Sequence, residues 1–485
     1  MSRDPDDILA GDARALSRRI HDRAVSCREV MAATLARIDR FNPAVTALVS
    51  LRDREDLLRE ADAKDALLDR GLSQGPLHGF PQAPKDLAAT RGIATTRGSP
   101  LFRHQIPKQD AIFVERLRAG GAIFVGKTNT PEFGLGSQTY NPVFGATGNA
   151  YDPRLTAGGS SGGAACALAL GMLAVADGSD MMGSLRNPAA FNNVFGFRPS
   201  AGRVPHGVVP DLFFQQLGYD GPMGRSVADL ALLLSVMAGF DARAPQSLAG
   251  DPAVFAQPLE GSVAGVRVGW LGDLGGHLAF EPGILELCQG ALATLGDLGC
   301  VVDEATAGFP LDALWTAWTD LRSFLVAGDL GALYADPVKR AQMKPEAIFE
   351  IERGLALSGA EVFAASARRS AWYRRMLVLF ERFDVLALPS AQVFPFDHAT
   401  PWPRAIDGRA MDSYHRWMEV VVPASMAGVP VISVPAGFNA AGLPMGLQVI
   451  GKPRDDLSLL RLAHAYDLAT RWPARRPPPV LSPAS

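Results

Sequence analysis

Three segments of this 485-residue chain hold serine or lysine in settings where those side chains can react. DGSDMMGSLRNPAAF, Asp177 to Phe191, carries Ser184 beside a methionine pair. GGSSG, Gly158 to Gly162, carries Ser160 and Ser161, and GFPQAPKD, Gly79 to Asp86, carries Lys85 behind two prolines. A serine hydroxyl is a weak nucleophile until a base takes its proton. The eight histidines (21, 78, 104, 206, 277, 398, 415 and 464) include none in a glycine-rich turn beside an obvious carboxylate. His78 and His206 are the least ordinary, and both read first as surface or second-layer residues. The pattern Gly-x-Ser-x-Gly fits at Ser160 and again at Ser161. A nucleophile elbow needs a strand immediately before it, however, and NAYDPRLTA is polar and contains Pro153. No lysine has a serine three residues before it, which excludes the Ser-x-x-Lys arrangement.

Lysine remains as a base. Only seven of the 47 basic residues are lysine, and arginine cannot release a proton near neutral pH. An amine buried at Lys85 would have a lowered pKa and could act as a base. From those residues alone, a surface lysine at a turn is the plainer reading, and a Gly/Ser/Asp-rich run such as 177–191 is ordinarily a loop.

The three segments, in this order, resemble the amidase signature enzymes. GFPQAPKD is similar to that family's lysine motif, AGGSSGGAACALALG to its Gly/Ser motif, and DGSDMMGSLRNPAAFNNVFGFRPSAGRV to its nucleophile segment. Ser160 and Ser184 stand 24 positions apart, as in typical members, and GKTNTPEFGLGSQTYNP and AGVPVISVPAGFNAAGLPMGLQVIG extend the likeness over most of the chain. The resemblance implies a Ser–cisSer–Lys triad. Ser184 is the nucleophile, Ser160 the proton-relaying bridge in a non-proline cis peptide after Gly159, and Lys85 the neutral base. It implies an amide hydrolase working through a seryl acyl-enzyme, with no cofactor and no metal. Oxyanion donors would be the N–H groups of Met181, Met182, Gly183 and Ser184. Asp180 and Arg186 would brace the loop, and Ser161 would support the turn or the helix that follows.

The chain departs from the family at Ser179 (commonly threonine), Met182 (glycine), Leu185 (isoleucine) and Arg198–Ser200 (Lys-Pro-Thr). Met182 is expected to have negative φ and, with Met181, to offer the substrate an apolar wall. Two other readings stay open: the ammonia-supplying subunit of a glutamine-dependent amidotransferase, and a non-catalytic ligand-binding relative.

Composition narrows the setting. Hydrophobic residues make up 48% and the net charge is −3, so nothing asks for nucleic acid or an anionic membrane. The cysteines at 27, 166, 288 and 300 are isolated and read as buried core in a reducing compartment. MSRDPDDILAGDARAL has no apolar signal region, and runs such as 164–176 are too short to span a bilayer. A cytoplasmic protein acting on a small-molecule amide is expected, and a homodimer is compatible with these properties.

The elements that must position the reactive residues follow from periodicity. Ser26 should cap a helix from Cys27 to Arg40 that FNP (41–43) stops, and another helix should cover Arg54 to Leu68. AIFVERLRAGG reads as a helix followed by the strand AIFVGK. VRVGWL, a helix over 284–298 and CVVDEA form a strand–helix–strand unit, residues 310–382 are mainly helical, and FDVLALPS, PVISVPAGF and MGLQVIG are strands. A last helix covers 455–470. The expected fold is α/β, a large mixed sheet covered by helices on both faces. Its expected parts are a helical segment at 1–70, the core with the triad at 71–240, a part at 241–472 completing the same sheet with a substrate-shaping region at 310–420, and an extended or disordered Pro-rich tail at 473–485.

Overall fold

The structure, a computed structural model, describes residues 5–9, 11–207, 209–214 and 216–481. Helix α1 (Cys27–Val45) starts where Ser26 accepts the Glu29 N–H and the Glu29 carboxylate accepts the Ser26 N–H, a reciprocal cap. It runs past the expected stop, with Pro43 inside its last turns. Asn42 explains the overrun. Its Oδ1 accepts the N–H groups of Ala47 and Leu48 and its Nδ2 donates to Leu48 O, so one side chain satisfies the backbone as it leaves the helix. The chain then forms a short strand at Leu48–Val49, antiparallel to Lys127–Thr128.

Eight strands make the central sheet: β1 (Val175–Asp180), β2 (Phe195–Arg198), β3 (Tyr219–Gly224), β4 (Arg267–Trp270), β5 (Val301–Glu304), β6 (Val385–Pro389), β7 (Val431–Phe438) and β8 (Pro444–Gly451). Their order is β5-β4-β6-β8-β7-β2-β3-β1, so β1 is an edge strand. β4 is parallel to β5 and to β6, while the other pairs are antiparallel, giving the mixed α/β sheet. The expected unit from 267 to 304 forms around the helix Ile284–Asp297.

Four further helices matter for the site: α2 (Gly162–Ala169), α3 (Arg186–Phe191), α4 (Leu311–Tyr334) and α5 (Asp456–Thr470). A Cβ at Gly446 would point at Ala190 of α3, and one at Gly451 would point at Leu459 of α5. Positions five apart on a strand face opposite ways, so α3 and α5 cover opposite faces of the sheet. All four cysteines are free and buried. Among the described residues no helix is long and apolar enough to cross a membrane.

The tail differs from expectation. Residues Trp472–Arg475 are helical and Pro479–Leu481 form a 3-10 turn. The Arg476 carbonyl accepts the Tyr151 hydroxyl and the Asn193 amide, so backbone hydrogen bonds hold a segment whose composition reads as loose. Residues 482–485 of that tail lie outside the described residues.

The reactive segments are joined by close backbone packing. Lys85 bridges to Thr128, Asp86 N–H donates to Thr128 O at 3.0 Å, and Thr128 N–H donates to Pro84 O at 3.2 Å. At the start of α2, a Cβ on Gly163 would stand 2.3 Å from Asn129 N and 2.5 Å from Ala47 O. Only glycine allows that approach, which docks the Ser160–Ser161 turn onto the strand beside Lys85. Gly163→Ala should therefore lower stability by at least ~1–3 kcal/mol, the scale of overpacking a filled core. Urea denaturation checks this, and an unchanged midpoint would show that the contact can relax.

Candidate active site

The run that reads as a loop begins as strand and ends as helix: its first four residues complete β1 (Val175–Asp180), paired with β3 from Val175↔Gly224 to Asp180↔Tyr219, its last six are α3, and only 181–185 form a loop. Glycine and polar residues hide the strand because the site uses those side chains. Asp177 and Ser179, two apart and on one side of the strand, both reach Lys85. Asp177 Oδ2 accepts the Lys85 backbone N–H at 3.0 Å, and Ser179 Oγ lies 3.0 Å from Lys85 Nζ.

Lys85 is 1% exposed, so the surface reading is wrong. Prolines and the pairing with Thr128 carry it inward, and its amine ends among hydroxyls. Nζ donates to Ser160 Oγ at 2.7 Å and to Ser161 Oγ at 2.9 Å. Burial pushes its pKa down to about 7, while the charges of Asp220, Asp180 and Asp177 pull it up.

The Gly159–Ser160 peptide bond is cis. Gly159 N–H donates to Asn187 Oδ1 at 2.9 Å, and a Cβ at Gly159 would stand 2.8 Å from Gln138 N. Ser161 occupies the N-cap position of α2 without making a side-chain cap. Its hydroxyl is turned to Lys85 instead, and its N–H donates to Ser184 O at 3.2 Å, tying the two serine segments together.

Ser184 follows β1 on a short loop and is 7% exposed. Gly183 has φ +77°, which suits glycine, whereas Met182 stays out of the left-handed region. The negative φ expected at Met182 is therefore present. The N–H of Gly183 is not available as an oxyanion donor: it donates to Asp180 Oδ1 at 2.8 Å. Among the described residues no acceptor takes the N–H of Met181, Met182 or Ser184.

Asp180 anchors this loop. Its carboxylate also accepts Leu185 N–H at 3.1 Å, Arg186 Nε at 3.0 Å and Arg186 Nη2 at 2.9 Å. Arg186 is fully buried and continues to Gln448 Oε1 at 2.8 Å, Ser425 Oγ at 2.7 Å and Val421 O at 3.0 Å. Arg198 donates to the Asp180 carbonyl. Burial alone would raise the Asp180 carboxyl, but Arg186 and Arg198 hold it well below the usual carboxylate range.

Lys85, Ser160, Ser184, Met181 and Met182 line one cavity of about 720 Å³. Phe133, Phe214, Phe324 and Leu330 supply apolar wall, and Arg322 and His415 stand among them. Apart from Lys85, the cations on this wall are paired: Arg97 with Asp329, His206 with Asp220 at 3.1 Å, and Arg322 with Glu350 at 2.6 Å. His206 thus faces the cavity. Burial opposes its protonation, but the bond to Asp220 prevails and leaves its pKa raised. His78 is fully buried against Lys64 O and Gln74 N–H and does not line the cavity. Trp315 and Trp318, from the aromatic stretch on α4, stack on each other, and the lining comes from their neighbours Arg322 and Phe324.

Sequence reasoning missed Asp177, Asp220, Arg322, Arg198 and Gln448. The spacing of Asp177 and Ser179 was a usable signal, since alternate polar residues before a reactive loop fit a strand facing a site. Among the described residues no group of three or more His, Cys, Asp or Glu side chains could hold a metal ion. The arrangement can accept a proton: a buried amine poised near neutrality touches the hydroxyls of Ser160, Ser161 and Ser179, and Ser184 lines the same cavity.

Comparison with known proteins identifies the family. The sequence model of the amidase family, described as Amidase, matches residues 29–460. The chain is 34% identical to an acylamidase of Rhodococcus erythropolis, over 93% of this chain and 94% of that protein. It is 33% identical to a glutamyl-tRNA(Gln) amidotransferase subunit from Chloroflexus aurantiacus, over 93% and 95%. Among solved structures, a bacterial aryl acylamidase of the amidase signature family superposes with TM-score 0.91 at 29% identity, covering 98% of this chain and 99% of that one. A 6-aminohexanoate cyclic dimer hydrolase superposes with TM-score 0.83 at 27% identity, covering 97% and 99%.

Removing one partner of a buried ion pair leaves a charge without solvent or counter-ion. Arg186→Met should cost about 3–5 kcal/mol in urea unfolding, because Asp180 would lose its principal cation. A loss under about 1 kcal/mol would mean that Arg198 alone suffices.

Proposed function

The chain belongs to the amidase family, hydrolases that act on carbon–nitrogen bonds, and from that premise we propose that it works by itself on uncharged small-molecule amides, with Ser184, Ser160 and Lys85 as its catalytic groups. One observation carries the reading: a buried lysine amine, its pKa near 7, lies 2.7 Å from the Ser160 hydroxyl. Neutral Lys85 takes the Ser160 proton as Ser160 takes that of Ser184. Ser184 Oγ attacks the amide carbonyl, and the N–H groups of Met181, Met182 and Ser184 are the oxyanion donors in this reading. The proton returns from Lys85 through Ser160 to the leaving amine, which departs. Water, activated along the same path, then releases the acid from the acyl-enzyme.

Relatives named for acylamidase activity support a simple amide substrate, and the methionine pair and aromatic wall suit an apolar group beside the scissile bond. A second reading, the glutamine-hydrolysing component of an amidotransferase, has similar relatives. Glutamine carries both an α-carboxylate and an α-ammonium, and the paired charges on this cavity wall favour the first reading. Turnover confined to glutamine, with a co-purifying partner protein, would establish the second. Absence of Ser184 labelling by an organophosphonate would indicate a non-catalytic relative.

Ser184→Ala, Ser160→Ala and Lys85→Ala should each cut anilide hydrolysis by at least ~1000-fold with circular dichroism unchanged, since the three act as one unit. A folded Ser184→Ala protein with near-native turnover would falsify the assignment. The pH–rate profile should follow the neutral fraction of Lys85: protonation below about 7 removes the base, so the rate climbs through that pH and is flat above it. An acid limb that disappears in His206→Asn would instead assign the base to that histidine.

A further inference from the structure

Arg322, on α4, is 4% exposed and lines the cavity, yet part of its guanidinium has no good acceptor. Nε donates to Glu350 Oε1 at 2.6 Å and Nη2 to Tyr414 Oη at 2.9 Å. Nη1 has only the thioether of Met181, with Sδ at 3.2 Å. A thioether is a weak acceptor, and a buried N–H without a proper partner is costly. The group cannot turn to find another partner. Glu350 is held by Ser323 Oγ at 2.6 Å and Tyr414 Oη at 2.7 Å, and the Trp318 ring lies 5.2 Å from the guanidinium carbon. Met181 belongs to the loop that ends at Ser184, so this fixed donor edge stands one side chain away from the nucleophile loop.

We propose that Arg322 is a specificity-determining residue whose Nη1 edge binds an uncharged acceptor oxygen, such as a ketone, amide or ether oxygen, carried by the substrate in addition to its scissile amide. The inference rests on the amidase reading above. Charge selects the neutral oxygen over a carboxylate. Glu350 already balances Arg322, and Arg97 and His206 have Asp329 and Asp220. A carboxylate would therefore bring a surplus negative charge into a buried site, whereas a neutral oxygen satisfies the donor without one.

The test is kcat/KM for p-nitroanilides of pentanoic acid, 4-oxopentanoic acid and butanedioic monoacid, which differ at one end of the acyl chain. A parallel set places butyl, 3-oxobutyl and 2-carboxyethyl on the nitrogen of benzamide. In at least one set the ketone should exceed its methylene counterpart by about 10-fold or more, the scale of one hydrogen bond to a charged group, with the carboxylate below both. Arg322→Lys, which keeps a cation beside Glu350 and loses the planar edge, should erase that preference while still cleaving the pentanoyl substrate. If that variant does not fold, the order in the native protein decides. Equal rates for ketone and methylene in both sets, or preference for the carboxylate, would overturn the assignment while leaving the amidase reading intact. No cleavage of any of these amides would overturn both.

Discussion

Taking a lysine amine out of water makes its charged form expensive, and the region around Lys85 is organised by that expense. The partners in contact with Nζ are hydroxyls and a carbonyl, not a carboxylate. The three nearby carboxylates act from a distance and are themselves engaged: Asp177 by the Lys85 N–H, Asp180 by Arg186, and Asp220 by His206. A direct ion pair would hold the amine protonated, while hydroxyl partners leave it close to neutrality. The same burial depends on the close backbone contacts that seat Lys85 against Thr128 and the start of α2 against Asn129.

Asp180 provides the other fixed point, at the junction of strand and reactive loop. Its backbone pairs in β1 with Tyr219, and its carboxylate gathers the N–H groups of Gly183 and Leu185. Arg186 carries the anchorage on to Gln448 of β8. The loop bearing Ser184 is thus tied to both the edge and the middle of the sheet. Gly183 N–H is taken up by this bracing of the loop.

The cavity wall has a different logic. Its arginines and His206 have counter-ions, and its apolar surface comes from Met181, Met182 and aromatic residues distant in sequence. Such a wall favours uncharged substrates and leaves selection to shape and to a few fixed donors. Family membership accounts for the hydrolase class, and the wall is where this chain becomes particular.

The sequence by itself determined where the candidate groups are. Ser160 sits in a Gly/Ser turn, Lys85 behind prolines, and Ser184 in a segment whose order and spacing match the family. Local backbone demands select those residue types, so they leave a local trace. The strand–helix–strand unit at 267–304 and the Ser26 cap were legible for the same reason. Only the tertiary structure decided that DGSD is an edge strand, that Ser161 turns to Lys85 instead of capping α2, and that Gly183 N–H serves Asp180. It also decided that α1 passes Pro43, that the tail docks on Tyr151 and Asn193, and that Arg322 meets Met181. Each of these turns on which distant atom lies within hydrogen-bond reach of a side chain or a backbone group. Met181 and Arg322 are 141 positions apart, and no pattern of neighbouring residues records a contact made across that distance.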